Sequence, residues 1–255
     1  MTADPSLRRS LFARAMLLQA GFSDERRQAL GFAWAIDPAL VRAYAGDRAG
    51  LKEARARHLA AFNVQPCAAG LPLGVAAALE ASAAKGDAAA AARGGVLKAV
   101  LGATLSGAAD SFFWGSLRPL SVAAAVLGAL AAWRAGARRP FACGAGLGLM
   151  VFNGPSLWAR WVGLGLGLGD GEAAALAAAR LPAREWIRAA RLAAALFVCI
   201  AAGAVLVLPL GIPRLPAATA FAVGAGLGRF TDGPLRLTAA AGLLGAAAAA
   251  AGWMP

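Results

Sequence analysis

The chain has 255 residues, 60% of them hydrophobic and only 15% charged, with 25 Lys and Arg against 13 Asp and Glu for a net charge of +12. Its mean hydropathy is +0.63, whereas soluble domains carry about 25% charged and 45–50% apolar residues. This composition excludes a soluble enzyme, a disordered tail and a disulfide scaffold, and it predicts a chain dissolved mostly in lipid.

Residues 1–60 carry ten Lys/Arg and six acids and read as helical, with breaks predicted near Gly21, Asp37-Pro38 and Gly46. Leu7, Leu11, Leu18 and Phe22 share one helical face, bordered by Arg14, which predicts an interfacial amphipathic helix. Arg14 also interrupts the apolar stretch of residues 7–22, so no cleavable signal peptide is expected. The basic bias places this region on the cytoplasmic side.

The character changes after residue 60. Residues 66–79 give fourteen uncharged positions, residues 99–109 a second short run, and residues 111–117 a third. A spanning helix needs about twenty residues. Three short pieces between 61 and 118 therefore predict re-entrant, broken helices, tolerated only where they are buried in protein or face a cavity. The stretch from Ala81 to Arg93 reads as a linker. Residues 119–255 are predicted to hold the transmembrane helices. These are a modest span at 119–133, a run at 140–159 broken by Asn153-Gly154-Pro155, and a basic helix at 172–191. The clearest span is 192–212, and weaker candidates lie at 215–228 and 237–254. The LGLGLGDG block is too rich in glycine to predict as helix.

Charge distribution argues against nucleic acid. Eight Lys/Arg and three acids sit in residues 134–191, but only three and one in 192–255, so the basic excess flanks apolar runs. Cys67, Cys143 and Cys199 lie far apart in apolar stretches and read as buried free thiols. The single histidine excludes a multi-His metal site, and no phosphate loop or nucleophile elbow is present. No cofactor is expected.

A few polar residues carry the chemistry. Asp110 stands among apolar residues, where a carboxylate costs about 2.5–3.5 kcal/mol to insert. It reads either as a contact for a translocated solute or as the N-cap of a helix starting at Ser111. Asn63 and Gln65 precede Pro66, and their amides suit sugar hydroxyls or helix capping. Trp114 reads as a stacking face for a sugar ring or as a membrane anchor. Arg118 is the basic residue nearest to Asp110. Glu80 and Asn153 read as packing or capping residues that support the site. His58 lies on a basic helix and reads as structural. The Arg180–Arg191 stripe reads as facing solvent or lipid headgroups.

These residues fall into blocks that resemble the IID membrane component of the mannose/fructose/sorbose class of the bacterial sugar phosphotransferase system. The segment RSLFARAMLLQAGFSDERRQALGF is similar to the family's N-terminal R-x-x-(L/F)-Q and E-R-x-Q-x-x-G-F elements. RHLAAFNVQPCAAGLPLGVAAALE resembles R-H-L-x-F-F-N-T-x-P leading to G-x-x-x-A-L-E-E, and DSFFWGSLRP resembles G-D-x-x-F-W-G-T-x-R-P. FNGPSLWARWVGLGLGLGDG is similar to a further stretch, here Asn153, Arg160, Gly163, Gly167 and Gly171. Four blocks in order cover most of residues 7–171.

The chain departs from the pattern at Ala103, Thr104 and Ala109, where the family usually has Gly, Pro and Gly, and at Ala81, where it has a second acid. The family's polar stretch after the 192–212 span is missing.

The resemblance implies an all-α, polytopic inner-membrane protein. It would pair with a IIC membrane subunit, in a higher oligomer of such pairs, and carry a hexose or amino sugar. Soluble IIA and IIB subunits relay the phosphoryl group, so no catalytic phosphoryl-transfer residue is expected in this chain. Asn63, Gln65, Asp110 and Trp114 are the expected sugar contacts, supported by Arg118, Glu80 and Asn153. The departures favour an alternative, a non-transporting scaffold or regulatory relative with the same fold. A membrane enzyme acting on lipid is a thinner reading, because one His and four membrane-region acids leave little to build it from.

Overall fold

The computed structural model describes residues 4–207, and among them helices dominate and no strand forms. The predicted spans at 215–228 and 237–254, the end of the 192–212 span and the stretch after it lie outside the described residues. In chain order the α-helices are α1 (Pro5–Ala15), α2 (Ala29–Ala43), α3 (Arg48–His58), α4 (Gly70–Ala83), α5 (Ala90–Ala109), α6 (Arg118–Arg134), α7 (Pro140–Asp170), α8 (Glu172–Ala178) and α9 (Ala183–Val207). A 3-10 turn at Pro66–Ala68 precedes α4, and a π-helical stretch at Asp110–Leu117 joins α5 to α6.

The chain divides into two units. One is formed by the chain up to Asp110 together with Gly154–Arg184, the other by Ser111–Asn153 together with the chain from Glu185. In the first unit, Leu11, Leu18, Phe32, Ile36, Leu40, Val64, Leu73 and Leu164 bury together. Leu11 of α1 and Leu18 in the turn that follows it, expected on one helical face at a lipid interface, therefore pack into this protein core, while Phe22 stays exposed.

Several predicted breaks are absent. Helix α2 runs through Pro38. Proline removes one hydrogen bond, but Ala35, Ile36, Ala39 and Leu40 around it are all buried, and tertiary packing holds the helix together. Helix α7 continues through Asn153-Gly154-Pro155 and through the glycine-rich block to Asp170. The glycines are what let α7 approach α4. A side chain at Gly74 would meet the Leu164 carbonyl at 2.5 Å, and one at Gly167 would meet the Val75 backbone nitrogen at 2.6 Å. Small residues at such positions allow helices to pack backbone to backbone. Within the second unit, α6 and the start of α7 do the same, with Gly144 and Gly148 against Ala125.

The runs at 99–109, 111–117 and 119–133 are not separate pieces. Helix continues over 45 residues from Ala90 to Arg134, the one helix among the described residues long and apolar enough to cross a membrane. Helix α4 is apolar but shorter. The π stretch widens the helix just before Pro119, and Ser116 Oγ donates to the Ser111 carbonyl at 2.8 Å. The basic run and the apolar run around residue 191 form one helix, α9, and the break falls at 179–182, where Pro182 biases Leu181 before it away from helix. Of the cysteines, Cys67 is buried, but Cys143 and Cys199 are exposed, because apolar neighbours in sequence do not bury the outward face of a helix.

Candidate functional site

The first unit holds a polar cluster built from four helices. Glu80, near the end of α4, is 3% exposed. Tyr44 Oη donates to Glu80 Oε2 at 2.7 Å, and Arg57 Nη2 donates to the same oxygen at 2.8 Å. Arg57 Nε reaches Oε1 at 3.2 Å, as does His58 Nε2 at 3.1 Å. A carboxylate only accepts, so Nε2 carries the His58 proton. Burial, followed by the Glu80 hydrogen bond, pushes the Tyr44 hydroxyl up to about 12, which keeps it a donor. From α5, Lys98 Nζ donates to the His58 carbonyl at 3.2 Å and sits 4.5 Å from the centre of the Phe32 ring.

Burial is the largest influence on His58 and pulls its pKa below the ordinary value of 6.5. As pH falls through that ordinary value the unfolded chain takes up a proton that the folded chain refuses, so stability falls. The thermal midpoint of the purified protein is expected to drop on acidification below about pH 6.5, and to do so less steeply in His58→Gln. Equal slopes in both would exclude this role.

The segment carrying Asn63 and Gln65 is held from below. Gln28 Nε2 donates to the Val64 carbonyl at 2.8 Å and Gln28 Oε1 accepts from Val64 N at 2.9 Å, a two-ended pairing of side chain with backbone. Arg160 Nε donates to the Pro66 carbonyl at 2.7 Å. Gln65 is buried, and its Oε1 accepts from Cys67 N at 2.5 Å, capping the 3-10 turn, while its Nε2 has no partner. Asn63 is exposed. Its carbonyl lies beside Gly102 of α5. Asp110, also exposed, is eight residues further along that helix, roughly 12 Å at 1.5 Å per residue. The helix passes through Asp110 without interruption, so Asp110 is not an N-cap.

Trp114, Arg118 and Asn153 come together in the second unit. They line a groove of about 450 Å³ with Ser121, Leu149 and Phe152. The Trp114 and Phe152 rings lie 5.8 Å apart, and the Arg118 guanidinium sits 5.4 Å over the Trp114 ring. Asn153 Nδ2 donates to the Leu149 carbonyl at 2.9 Å, which leaves its oxygen to accept elsewhere. An aromatic face flanked by a guanidinium and an amide oxygen can bind a ring carrying hydroxyls. Among the described residues no three His, Cys, Asp or Glu side chains gather to hold a metal.

The roles of Gln28, Tyr44 and Lys98 were missed in the sequence. Tyr44 and His58 are the chain's single tyrosine and single histidine, and Lys98 interrupts an apolar run, which was the available signal. Arg57, His58 and Glu80 belong to the RHLAAFNVQPCAAGLPLGVAAALE block, and Phe32, under Lys98, ends the N-terminal block, so the cluster joins two motif blocks.

A family model described as the PTS system mannose/fructose/sorbose family IID component matches residues 4–206. The PTS system mannose-specific EIID component of Escherichia coli strain K12 is 38% identical over 115 residues, 45% of this chain and 41% of that protein. The sorbose-specific EIID component of Klebsiella pneumoniae is 36% identical over 158 residues, 61% of this chain and 53% of that one. The matches thus span about half the length of these relatives or less. A chain from the cryo-EM structure of the mannose transporter ManYZ in complex with microcin E492 superposes with a TM-score of 0.57 at 31% identity, covering 78% of this chain and 70% of that one. With a match over most of its length and a membrane transporter as its structural neighbour, the chain is a membrane protein that belongs to the IID component family of the mannose/fructose/sorbose phosphotransferase system.

Proposed function

We propose that this protein is the IID subunit of a sugar transporter, pairing with a IIC membrane subunit to carry a hexose or amino sugar inward while a soluble IIB subunit, recharged by IIA, phosphorylates it. It is a multi-pass protein of the bacterial inner membrane, with α4 as a re-entrant element and residues 1–60 on the cytoplasmic side, and it assembles as an oligomer of IIC–IID pairs. The groove in which Trp114, Arg118 and Asn153 meet carries this reading, because it joins an aromatic face to hydrogen-bonding groups. Trp114 stacks on the sugar ring and Asn153 and Arg118 orient it. Within the first unit, taken by itself, Asn63 and Asp110 supply hydroxyl contacts to the passing sugar, and Gln65 and Glu80 support the segment that presents Asn63. Each hydroxyl bond contributes about 0.5–1.5 kcal/mol, enough for a specific but reversible site.

The test is uptake of radiolabelled mannose, fructose, sorbose and glucosamine by cells whose own IID is replaced by this protein. Asp110→Asn and Trp114→Ala are each expected to cut uptake about tenfold or more while the protein stays at wild-type level in the membrane fraction. Uptake at the wild-type rate by both variants would remove these residues from the pathway. The second reading, a scaffold without transport, is favoured by Ala103, Thr104 and Ala109 ahead of Asp110. It predicts unchanged uptake when this protein alone is deleted from its host.

A further inference from the structure

A cavity of about 90 Å³ opens beside the polar cluster, walled by Arg57, His58, Glu80, Gly95 and Lys98 among others. At roughly 30 Å³ per water, this is room for about three waters or one small tetrahedral oxyanion. Its charged walls are two cations against one carboxylate, and that carboxylate is already engaged by Arg57, Tyr44 and His58. Lys98 is 5% exposed, and among the described residues it forms no ion pair. One hydrogen bond to the His58 carbonyl and the Phe32 and Phe62 rings are what it has. A buried ammonium without a counter-charge is costly. His58 is 3% exposed, and its Nδ1 is buried without a partner. Arg57 is about one third exposed at 34%, so the cavity reaches the surface beside it.

We infer that this cavity is a binding site for a small oxyanion of phosphate chemistry, held by the Lys98 ammonium, the Arg57 guanidinium and the His58 imidazole. The Nε2 proton faces Glu80, so Nδ1 can donate only in the imidazolium form. The groups around His58 that carry or can carry charge are Arg57, Glu80, Lys98 and, through Glu80, Tyr44. Glu80 already answers Arg57, so the walls keep the one uncompensated charge of Lys98. An anion placed there is itself a counter-charge for the imidazolium, so its binding draws a proton onto Nδ1, and binding tightens as pH falls. Free phosphate and the phosphoryl head of a phosphorylated sugar share this chemistry. The second source rests on the transport function proposed above, whereas the site itself does not.

The experiment is equilibrium dialysis of radiolabelled orthophosphate against the full-length protein in lipid nanodiscs at constant ionic strength. Sulfate, which does not titrate near neutral pH, serves for the pH comparison. Saturable phosphate binding is expected, weakened about tenfold or more in Lys98→Met. Sulfate is expected to bind more tightly at about pH 6 than at about pH 8. Gly95→Leu gives a second route, since Gly95 lines the cavity and a Cβ there meets nothing within 4 Å, so the bulk is added at the wall without a clash at its root. It is expected to abolish binding at unchanged thermal midpoint. Competition by a hexose phosphate, but not by the free hexose, assigns the site to the phosphorylated sugar, and its absence assigns the site to free phosphate. No saturable binding to the wild type, or wild-type binding in Gly95→Leu, overturns the inference. Phosphate binding that persists while uptake proves absent would leave the site standing and remove only the transport function.

Discussion

Glu80→Ala is expected to destabilise the protein by about 3 kcal/mol, the lower end of what breaking a buried ion pair costs. Glu80 accepts hydrogen bonds from Tyr44, from two nitrogens of Arg57 and from His58. Its loss strands four donor atoms on three residues, Tyr44 at the end of α2 and Arg57 and His58 of α3, and only Arg57 can turn to solvent. For a chain of this size a loss of that order lowers the thermal midpoint by on the order of 10 °C. A shift of less than a few degrees in purified protein would show that the cluster does not tie α2 and α3 to α4. Removing both ends, in Arg57→Met with Glu80→Met, should cost less than Glu80→Ala alone, since it strands no guanidinium and leaves only the Tyr44 and His58 donors newly without an acceptor. That ordering separates an electrostatic tie from simple loss of packing.

Gly74→Ala is the second large effect, and it acts through backbone rather than charge. The added methyl would lie 2.5 Å from the Leu164 carbonyl and 2.9 Å from the Gly167 Cα. Both obstacles are backbone of α7, so neither can swing aside as a flexible side chain would. Overpacking of this kind costs about 1–3 kcal/mol, and Gly74→Leu should prevent stable α4–α7 packing altogether. Gly169→Ala is the matched control. It sits on the same helix as Gly167 with open space where the methyl would go, and it should be neutral or stabilise by about 0.5–1 kcal/mol. If Gly74→Ala and Gly169→Ala melt together, the close approach of α4 and α7 is wrong.

Both predictions rest on residues whose type was visible in the chain but whose partners were not. Glu80 was legible as an acid closing an apolar run, and His58 as a lone histidine on a basic helix. Nothing in their 22-residue separation says that they meet. Gln28 and Arg160 sit inside recognised blocks, yet their work, holding the Val64 and Pro66 backbone, follows from contacts 36 and 94 residues away. At the glycine-rich end of α7 local propensity and the structure part, because propensity counts glycine as a helix breaker and cannot count the neighbour it lets in. The same holds at Pro38, where a broken local rule is repaired by packing.

The residues alone determined the lipid-like composition, the absence of a metal or nucleotide motif, and the ordered blocks that identify the family. These are properties of residue type and spacing along one dimension. The tertiary structure alone decided that Ala90–Arg134 is one helix rather than three fragments, that Trp114, Arg118 and Asn153 share a groove, and that Tyr44, Arg57, His58, Glu80 and Lys98 form one buried cluster. Those outcomes depend on which distant backbone or charge comes within a few ångströms, and pairing energies at that range are set by the packed neighbour, not by the local sequence.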